Sequence, residues 1–344
     1  MRQGFGFVIA TMLAACSGGG GSPGSPEQPD ATSGGGSDAG GGGDGGGSAD
    51  ANADAAIIAA PPSFTILGPT VDVQANSEIT YCYYFHTTNT TDLSIKKWTS
   101  HMTDGAVQMT LFLTPSDQKL AGVVDSKPCG LFTNGVNVAW TYSASTVDAQ
   151  AELPSDDGNG QPLGQPVRAG QPAILQMHFL NSTAQLIQAH VELAAYAHAD
   201  GVQATAVAPF ATYHTGINML AAPSPAMPTT AMVNGNCDVE AGAKFFAISA
   251  HTNSRGVHTF IKDGNTTVFD NVDWQNPEQT VWATTPFFSF SSGKLSYQCE
   301  YANPSGSRVE TGDAANNEMC VAVGFYFPAT DPSGHVCLNS AMLK

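Results

Sequence analysis

The chain has 344 residues, a formal net charge of −17 and seven cysteines. This acidic balance excludes nucleic acid and anionic lipid headgroups as expected partners, because both are bound by clustered positive charge. Nothing in the composition favours a particular cationic partner over an acidic surface that is simply solvated.

The first fifteen residues have the pattern of a secretory signal peptide. Arg2 precedes a short apolar run and then small residues, and the run is too short to span a bilayer. The tetrapeptide Leu13-Ala14-Ala15-Cys16 resembles the bacterial lipobox, in which the signal is cut before the cysteine and the cysteine is acylated. We expect residues 1–15 to be a lipoprotein signal peptide, with lipidated Cys16 anchoring an exported protein to the bacterial cell envelope. Because Ser17 follows, the outer membrane is the expected destination; export with a coincidental cysteine is the alternative.

Residues 16–60 are expected to form a flexible tether. Beyond Cys16 the segment consists almost entirely of Gly, Ser, Asp, Ala and Pro. Such a composition cannot bury enough apolar surface to offset the entropy of ordering the chain. The tether would hold the folded part away from the membrane.

From residue 61 onward, short runs rich in aromatic and β-branched residues alternate with turn residues. The clearest runs are Ile79–Phe85, Gln108–Leu113, Ile174–Phe179, Lys244–Ser249 and Val321–Phe327. Strands at this density predict an all-β fold, a sandwich or jelly roll. The segment 186–198 permits a helix, but its polar and apolar residues alternate and we favour a strand.

Two consecutive jelly-roll β-sandwich domains are expected after the tether, because the chain is longer than one such core usually holds. The Pro-rich segment 221–228 marks the expected boundary, which gives domains at 61–221 and 229–344. Without Cys16, six cysteines remain. An even number in an exported chain predicts three disulfides, and no CxxC or HExxH spacing indicates a structural zinc site.

Five motifs in this order resemble the copper type II, ascorbate-dependent monooxygenases. This is the family of peptidylglycine α-hydroxylating monooxygenase and dopamine β-monooxygenase, and the resemblance to its bacterial relatives covers nearly all of residues 62–342. The motifs are TYCYYF (Thr80–Phe85), ILQMHFLN (Ile174–Asn181), AHTNSRGVH (Ala250–His258), LSYQCEYAN (Leu295–Asn303) and NNEMCVAVGFYFP (Asn316–Pro328).

The resemblance implies two jelly rolls, each with one copper, facing each other across a solvent-filled cleft. One copper, held by a His-His pair and a third histidine, passes electrons from ascorbate. The other, held by His-x-His and a methionine, binds dioxygen and hydroxylates a C–H bond of a small organic or peptide substrate. Imidazole suits both copper oxidation states and a thioether favours Cu(I).

Half of the implied ligand positions are substituted in this chain. The paired histidines fall on Val107 and Gln108 within the stretch GAVQM, and Asn253 replaces the second histidine of His-x-His. The retained ligand positions are His178, His251 and Met319.

Three hypotheses therefore remain open. The chain is a monooxygenase with altered copper sites, a catalytically inactive member that binds other molecules, or a weak copper-binding lipoprotein that uses His251 and Met319. The resemblance implies copper, bound weakly or partially here, with ascorbate as the reductant only if the chain is active.

The resemblance also implies the disulfide pairs Cys82–Cys129, Cys237–Cys337 and Cys299–Cys320. Two other segments could repair the metal sites: His101-Met102 if it folds beside His178, and His258 if a bulge at residues 255–256 turns it towards His251. The remaining histidines are expected to be surface or packing residues: His86, His190, His198, His214 and His335. No GxSxG, HExxH or dinucleotide motif indicates other chemistry.

Overall fold

The computed structural model describes residues 60–127, 129–130, 138–274, 279–312 and 316–343. The expected signal peptide, Cys16 and all but the last residue of the expected tether lie outside these ranges. All regular structure within the ranges is β-strand, which confirms the predicted fold class, and no helix there is long and apolar enough to cross a membrane.

The strands are β1 (Phe64–Leu67), β2 (Val71–Val73), β3 (Ser77–His86), β4 (Leu93–Met102), β5 (Ala106–Leu113), β6 (Val124–Asp125), β7 (Ala139–Ala144), β8 (Asp148–Glu152), β9 (Leu163–Val167), β10 (Pro172–Asn181), β11 (Ile187–Ala189), β12 (Val191–Ala197), β13 (Thr205–Ala206), β14 (Ala208–Tyr213), β15 (Asn218–Met219), β16 (Thr229–Asp238), β17 (Lys244–His251), β18 (Gly256–Asp263), β19 (Thr266–Asn271), β20 (Thr280–Val281), β21 (Lys294–Asn303), β22 (Val309–Glu310), β23 (Val321–Phe327), β24 (His335–Leu338) and β25 (Ala341–Met342). All five runs singled out in the sequence are strands, and the ambiguous segment 186–198 forms β11 and β12.

The first sandwich packs two sheets face to face. Sheet 1 has the order β1-β12-β4-β9-β13, with β8 also paired to β4, and sheet 2 has the order β6-β3-β10-β5-β7. Alternate residues of each sheet point inward, so Trp98 and Leu193 of sheet 1 meet Leu111, Leu175 and Met177 of sheet 2 in one buried cluster.

The second sandwich is built in the same way. Sheet 3 has the order β20-β17-β23-β14-β24-β25, and sheet 4 has the order β16-β21-β18-β19. Phe245 and Tyr326 of sheet 3 pack against Ile261, Phe269 and Tyr297 of sheet 4. The described residues from Pro62 onward form a single compact unit that contains both sandwiches.

An apolar cluster joins the two inner sheets, which are sheets 2 and 3. Tyr84, Phe112 and Ile174 of sheet 2 share it with Val321 and Val336 of sheet 3, and we call it the interface cluster. Sheet 2 is therefore covered on both faces, which explains why its strands read as nearly continuous apolar runs. Over this area the two halves are in apolar contact, where the resemblance had implied a solvent-filled cleft.

The chain passes from the first sandwich to the second earlier than the sequence suggested. Strand β14, which lies inside the expected first domain at 61–221, pairs with β23 and β24 of sheet 3. The Pro-rich segment 221–228 lies between β15 and β16, both within the second half of the molecule. Proline and glycine mark a loop reliably, but they do not distinguish a loop within a domain from a loop between domains.

The three expected disulfides are present. Cys82–Cys129 lies in the first sandwich, and Cys237–Cys337 and Cys299–Cys320 lie in the second. All six cysteines are buried, with at most 1% of the residue exposed.

Candidate functional site

The first implied copper centre retains one imidazole, and that imidazole is already hydrogen bonded. His178 on β10 lies directly across from Thr80 on β3 and Gln108 on β5. Its neighbours Met177 and Phe179 point into the core, so the His178 side chain lies on the opposite face of sheet 2, which is the face that carries Ile174. The His178 Nε2 donates to Glu78 Oε1 at 2.8 Å.

Val107 is the extra residue of a bulge. The pairing of β10 with β5 skips from Gln108 to Ala106 at this point. The centre therefore offers an imidazole, a carboxylate and an amide in place of three imidazoles. This donor set does not fit the electron-transfer copper of the resembling family, because the amide and carboxylate oxygens are hard ligands that bind Cu(I) poorly.

The second implied centre is deeply buried around His251, at the end of β17. His251 lies opposite Val321, and its Nε2 donates to Asn253 Oδ1 at 3.2 Å. Since Nε2 carries the proton, Nδ1 holds a lone pair, and it has no hydrogen-bond partner among the described residues. Burial lowers the pKa of His251 to about 4, so the ring is neutral at physiological pH. Met319, two residues before Val321, is partly buried against the interface cluster.

Asn253, the substituted ligand, is tied into the fold at three points. Its side chain accepts the bond from His251 and donates from Nδ2 to the Asn317 carbonyl at 3.0 Å, and its backbone N–H donates to Glu318 at 2.9 Å. Glu318 was not anticipated from the sequence. It is fully buried, accepts a second backbone bond from Arg255 at 2.8 Å, and has its pKa raised to about 7 by burial. The loop after β17 is thus closed by Glu318 and Asn253.

Neither proposed repair segment rebuilds a metal site. His101 lies on the outer face of sheet 1, bonded to Asp148 at 2.8 Å, whereas His178 lies on sheet 2; Met102 is buried in the core of the first sandwich. A register shift does occur between Gly256 and His258, but His258 lies on sheet 4 and bonds Asp270 at 2.9 Å. His251, in contrast, belongs to sheet 3.

A groove of about 600 Å³ lies on the outer face of sheet 1. Its floor is one cross-strand row of small side chains, in which Thr65, Ala194, Thr99 and Gln150 are successive neighbours on β1, β12, β4 and β8. We call this depression the outer groove. Its residues are Thr65, Thr99, Ser100, His101, Asp148, Ala149, Gln150, Glu192, Leu193 and Ala194.

One end of the outer groove is charged. His101 stands between Glu192 on β12 and Asp148 on β8, since both are its direct cross-strand neighbours. The hydrogen bond that the His101 ring donates to Asp148 is the main cause that raises the pKa of His101. The sequence shows this arrangement only as polar residues at alternate positions, because the register that aligns three strands is not encoded locally.

A third cluster contains metal-ligand types. Donor atoms of Cys237, His335 and Cys337 all lie within 4.8 Å of one another, and all three residues are buried. Cys237 and Cys337 are bonded to each other, so in this state neither offers a thiolate. His335 had been expected to be a packing or surface residue.

Comparisons with known proteins identify no relative by sequence. No protein-family model matches the chain, and no curated protein matches it. Among solved structures, the major capsid protein P2 from Bacteriophage PM2 aligns with a TM-score of 0.30 and 7% identity, over 76% of this chain and 96% of that one. The PBSX exported protein XepA gives 0.21 and 11%, over 77% and 88%. A structure of PNGF-II gives 0.19 and 10%, over 77% and 61%. These TM-scores are too low to indicate a shared fold or function.

Proposed function

We propose that this chain is an exported binding protein, lipid-anchored through Cys16, that has the architecture of the copper type II monooxygenases without their hydroxylation chemistry. The observation that carries the proposal is the pairing of His178 with Glu78 opposite Gln108. Electrons from ascorbate would have to pass through a copper at this position, and the donor set there does not suit one. The five motifs support the family assignment.

The outer groove is the proposed binding site. Its volume lies within the usual range of small-molecule sites, roughly 300–1,000 Å³. The polar groups that surround it both donate and accept hydrogen bonds: hydroxyls of Thr65 and Thr99, the Gln150 amide, and the carboxylates of Asp148 and Glu192.

This mixture selects a hydroxyl-rich ligand, and we propose a short oligosaccharide. Sugar hydroxyls both donate and accept, so they can satisfy amides, hydroxyls and carboxylates together. An apolar ligand would remove water from the Asp148 and Glu192 carboxylates without replacing its hydrogen bonds, and an anionic ligand would be repelled by them. The small Ala194 and Thr99 leave room for a ring to approach the sheet.

The test is a glycan array followed by calorimetry with each glycan that binds. Gln150→Ala removes a central hydrogen-bonding side chain and is expected to weaken binding about tenfold, since one such bond is worth about 1.5 kcal/mol. Gln298→Ala is the matched control, because Gln298 is also a glutamine on the outer face of a sheet, sheet 4. Absence of glycan binding, or equal binding by both variants, would refute the proposed site.

A second candidate function is weak copper binding at His251. The specific observation in its favour is that the buried Nδ1 of the neutral His251 ring has no hydrogen-bond partner among the described residues. Val321 lies opposite His251 on the neighbouring strand, and Met319, which offers a thioether, is two residues before Val321. Titration with Cu(I) and Cu(II) against a competing chelator tests it. Stoichiometric binding that is lost in both His251→Ala and Met319→Ala would support this candidate. Ascorbate-dependent oxygen consumption lost in the same variants would overturn the non-catalytic proposal.

A further inference from the structure

The disulfide Cys237–Cys337 has a histidine built against it. Cys237 comes from β16 of sheet 4, and Cys337 comes from β24 of sheet 3. His335 is two residues before Cys337 on the same strand, so the two side chains point to the same side. Cys237 and Cys337 are fully buried and His335 is 5% exposed. Within the described residues, neither of the other two disulfides belongs to such a group.

The imidazole of His335 is held in one orientation. Its Nε2 faces Cys337 Sγ at 3.9 Å, and its Nδ1 faces the Glu240 carboxylate at 3.9 Å. Phe210 stacks parallel to the ring with 4.9 Å between centroids. Glu240 is itself fixed by the Tyr326 hydroxyl, at 2.8 Å.

Metal-binding histidines also have a carboxylate close to their second ring nitrogen. In metalloproteins one ring nitrogen binds the ion while the other donates to a carboxylate, which fixes the tautomer and makes the ligand more basic. A neutral ring has the lone pair that a metal requires.

We propose that reduction of Cys237–Cys337 converts this cluster into a binding site for Zn²⁺ or Cu(I), with two thiolates and the His335 Nε2 as ligands. A dithiol supplies the two electrons and two protons that cleave the S–S bond, and becomes a disulfide itself. The metal then displaces the two thiol protons. Two sulfurs and one imidazole suit both ions, and the Glu240 carboxylate lies 3.9 Å from Nδ1.

The position in the sheet gives a reductant a route to the bond. Strand β24 is covered on one side by β25 only, a two-residue strand at the edge of sheet 3. Detachment of this edge strand, which pairs Met342 with Cys337, would uncover the edge of β24 at Cys337.

The test uses the purified full chain after anaerobic reduction by a dithiol and removal of the reductant. Co²⁺ serves as the spectroscopic probe for zinc, and one equivalent is expected to give a thiolate-to-cobalt charge-transfer band. Added Zn²⁺ should abolish that band and protect Cys237 and Cys337 from alkylation, without protecting Cys82, Cys129, Cys299 or Cys320. Cu(I) is titrated separately against a chelator of known affinity, and the oxidised protein should bind none of these ions at this site.

Two variants separate a metal ligand from a packing residue. Glu240→Gln keeps the shape of the side chain and is expected to lower zinc affinity about 10- to 100-fold. His335→Ala is expected to lower it more and to shift the cobalt spectrum. Both variants keep the disulfide, so folding of their oxidised forms can be verified first by circular dichroism.

Several outcomes would overturn the proposal. These are a missing charge-transfer band, the same zinc affinity in His335→Ala as in the unmodified chain, or protection of other cysteines. If the reduced chain loses its strand signal, zinc must restore it, and failure to do so also counts against the site.

Discussion

His251 and Glu318 are expected to oppose each other in the pH dependence of stability. Both side chains are buried, and Asn253 contacts both of them. Burial shifts the two pKa values in opposite directions, because it disfavours the charged form of an acid and of a base alike. When either group is replaced, the pH dependence of the unfolding free energy should show the contribution of the remaining group.

The signs follow from which state binds more protons. The pKa of Glu318 is raised from 4.5 to about 7, so the folded state binds the extra proton. Its contribution is fully present below pH 4.5 and is lost as the pH rises to about 7. The pKa of His251 is lowered from 6.5 to about 4, so its contribution is present above pH 6.5 and is lost as the pH falls to about 4.

Each contribution is worth roughly 3 kcal/mol, since one pKa unit corresponds to about 1.4 kcal/mol. Between pH 4.5 and 6.5 the pH-dependent changes that the two groups make in the free energy of unfolding nearly cancel in the unmodified chain. Two other groups face Glu318. The Arg255 guanidinium lies 3.9 Å away and stays charged throughout, and the pKa of Tyr301 is raised well above 10, so its hydroxyl stays neutral.

The assay is urea unfolding from pH 4 to 8 of the unmodified chain, Glu318→Gln and His251→Gln. Relative to the unmodified chain, the free energy of unfolding of Glu318→Gln should rise with pH by roughly 3 kcal/mol, and that of His251→Gln should fall by a similar amount. All other titrating groups are common to the three proteins. Parallel pH profiles for the three would refute the reasoning, whatever the absolute loss of stability.

Two further perturbations test the scaffold. Replacing both Cys82 and Cys129 by alanine removes a disulfide that joins residues 47 positions apart, and on the chain-entropy model it should lower the free energy of unfolding by about 4 kcal/mol. Denaturant unfolding of the two forms measures this difference, and a loss under about 1 kcal/mol would contradict the model. Gly105, the first residue of the stretch GAVQM, has φ +84°, and an added Cβ would lie 2.5 Å from Ile187 Cδ1. Gly105→Ala should therefore lower the free energy of unfolding by more than about 1 kcal/mol, and an unchanged melting temperature would show that the turn relaxes.

Much of the fold was predictable because its signals are local. The strand runs of β3, β5, β10, β17 and β23 combine β-branched or aromatic residues with bordering turn residues, and both features are visible within a short window. The disulfide pairs followed from the resemblance, since six cysteines alone allow 15 connectivities. The division between the sandwiches was misplaced because β14 joins sheet 3 through β23 and β24, which are both more than 100 residues away.

The candidate sites were less accessible to sequence reasoning. The outer groove depends on the register of β1, β12, β4 and β8, which come from widely separated parts of the chain. His335 stands two residues before Cys337, a spacing that places both side chains on one side of a strand, but Glu240 and Phe210 come from distant segments. Glu318 carried a local signal, since it adjoins the retained Met319.

At the ligand positions that the resemblance implies, both retained histidines are hydrogen bonded to other side chains. An imidazole in a protein interior needs a hydrogen-bond partner, because an unpaired buried polar group costs about 1–3 kcal/mol. His178 has Glu78 in that role, and His251 has the Asn253 amide oxygen. The Asn253 side chain adds a bond to the Asn317 carbonyl, and its backbone N–H donates to Glu318. Asn253 and Glu318 therefore hold the loop after β17 closed through bonds within the protein itself.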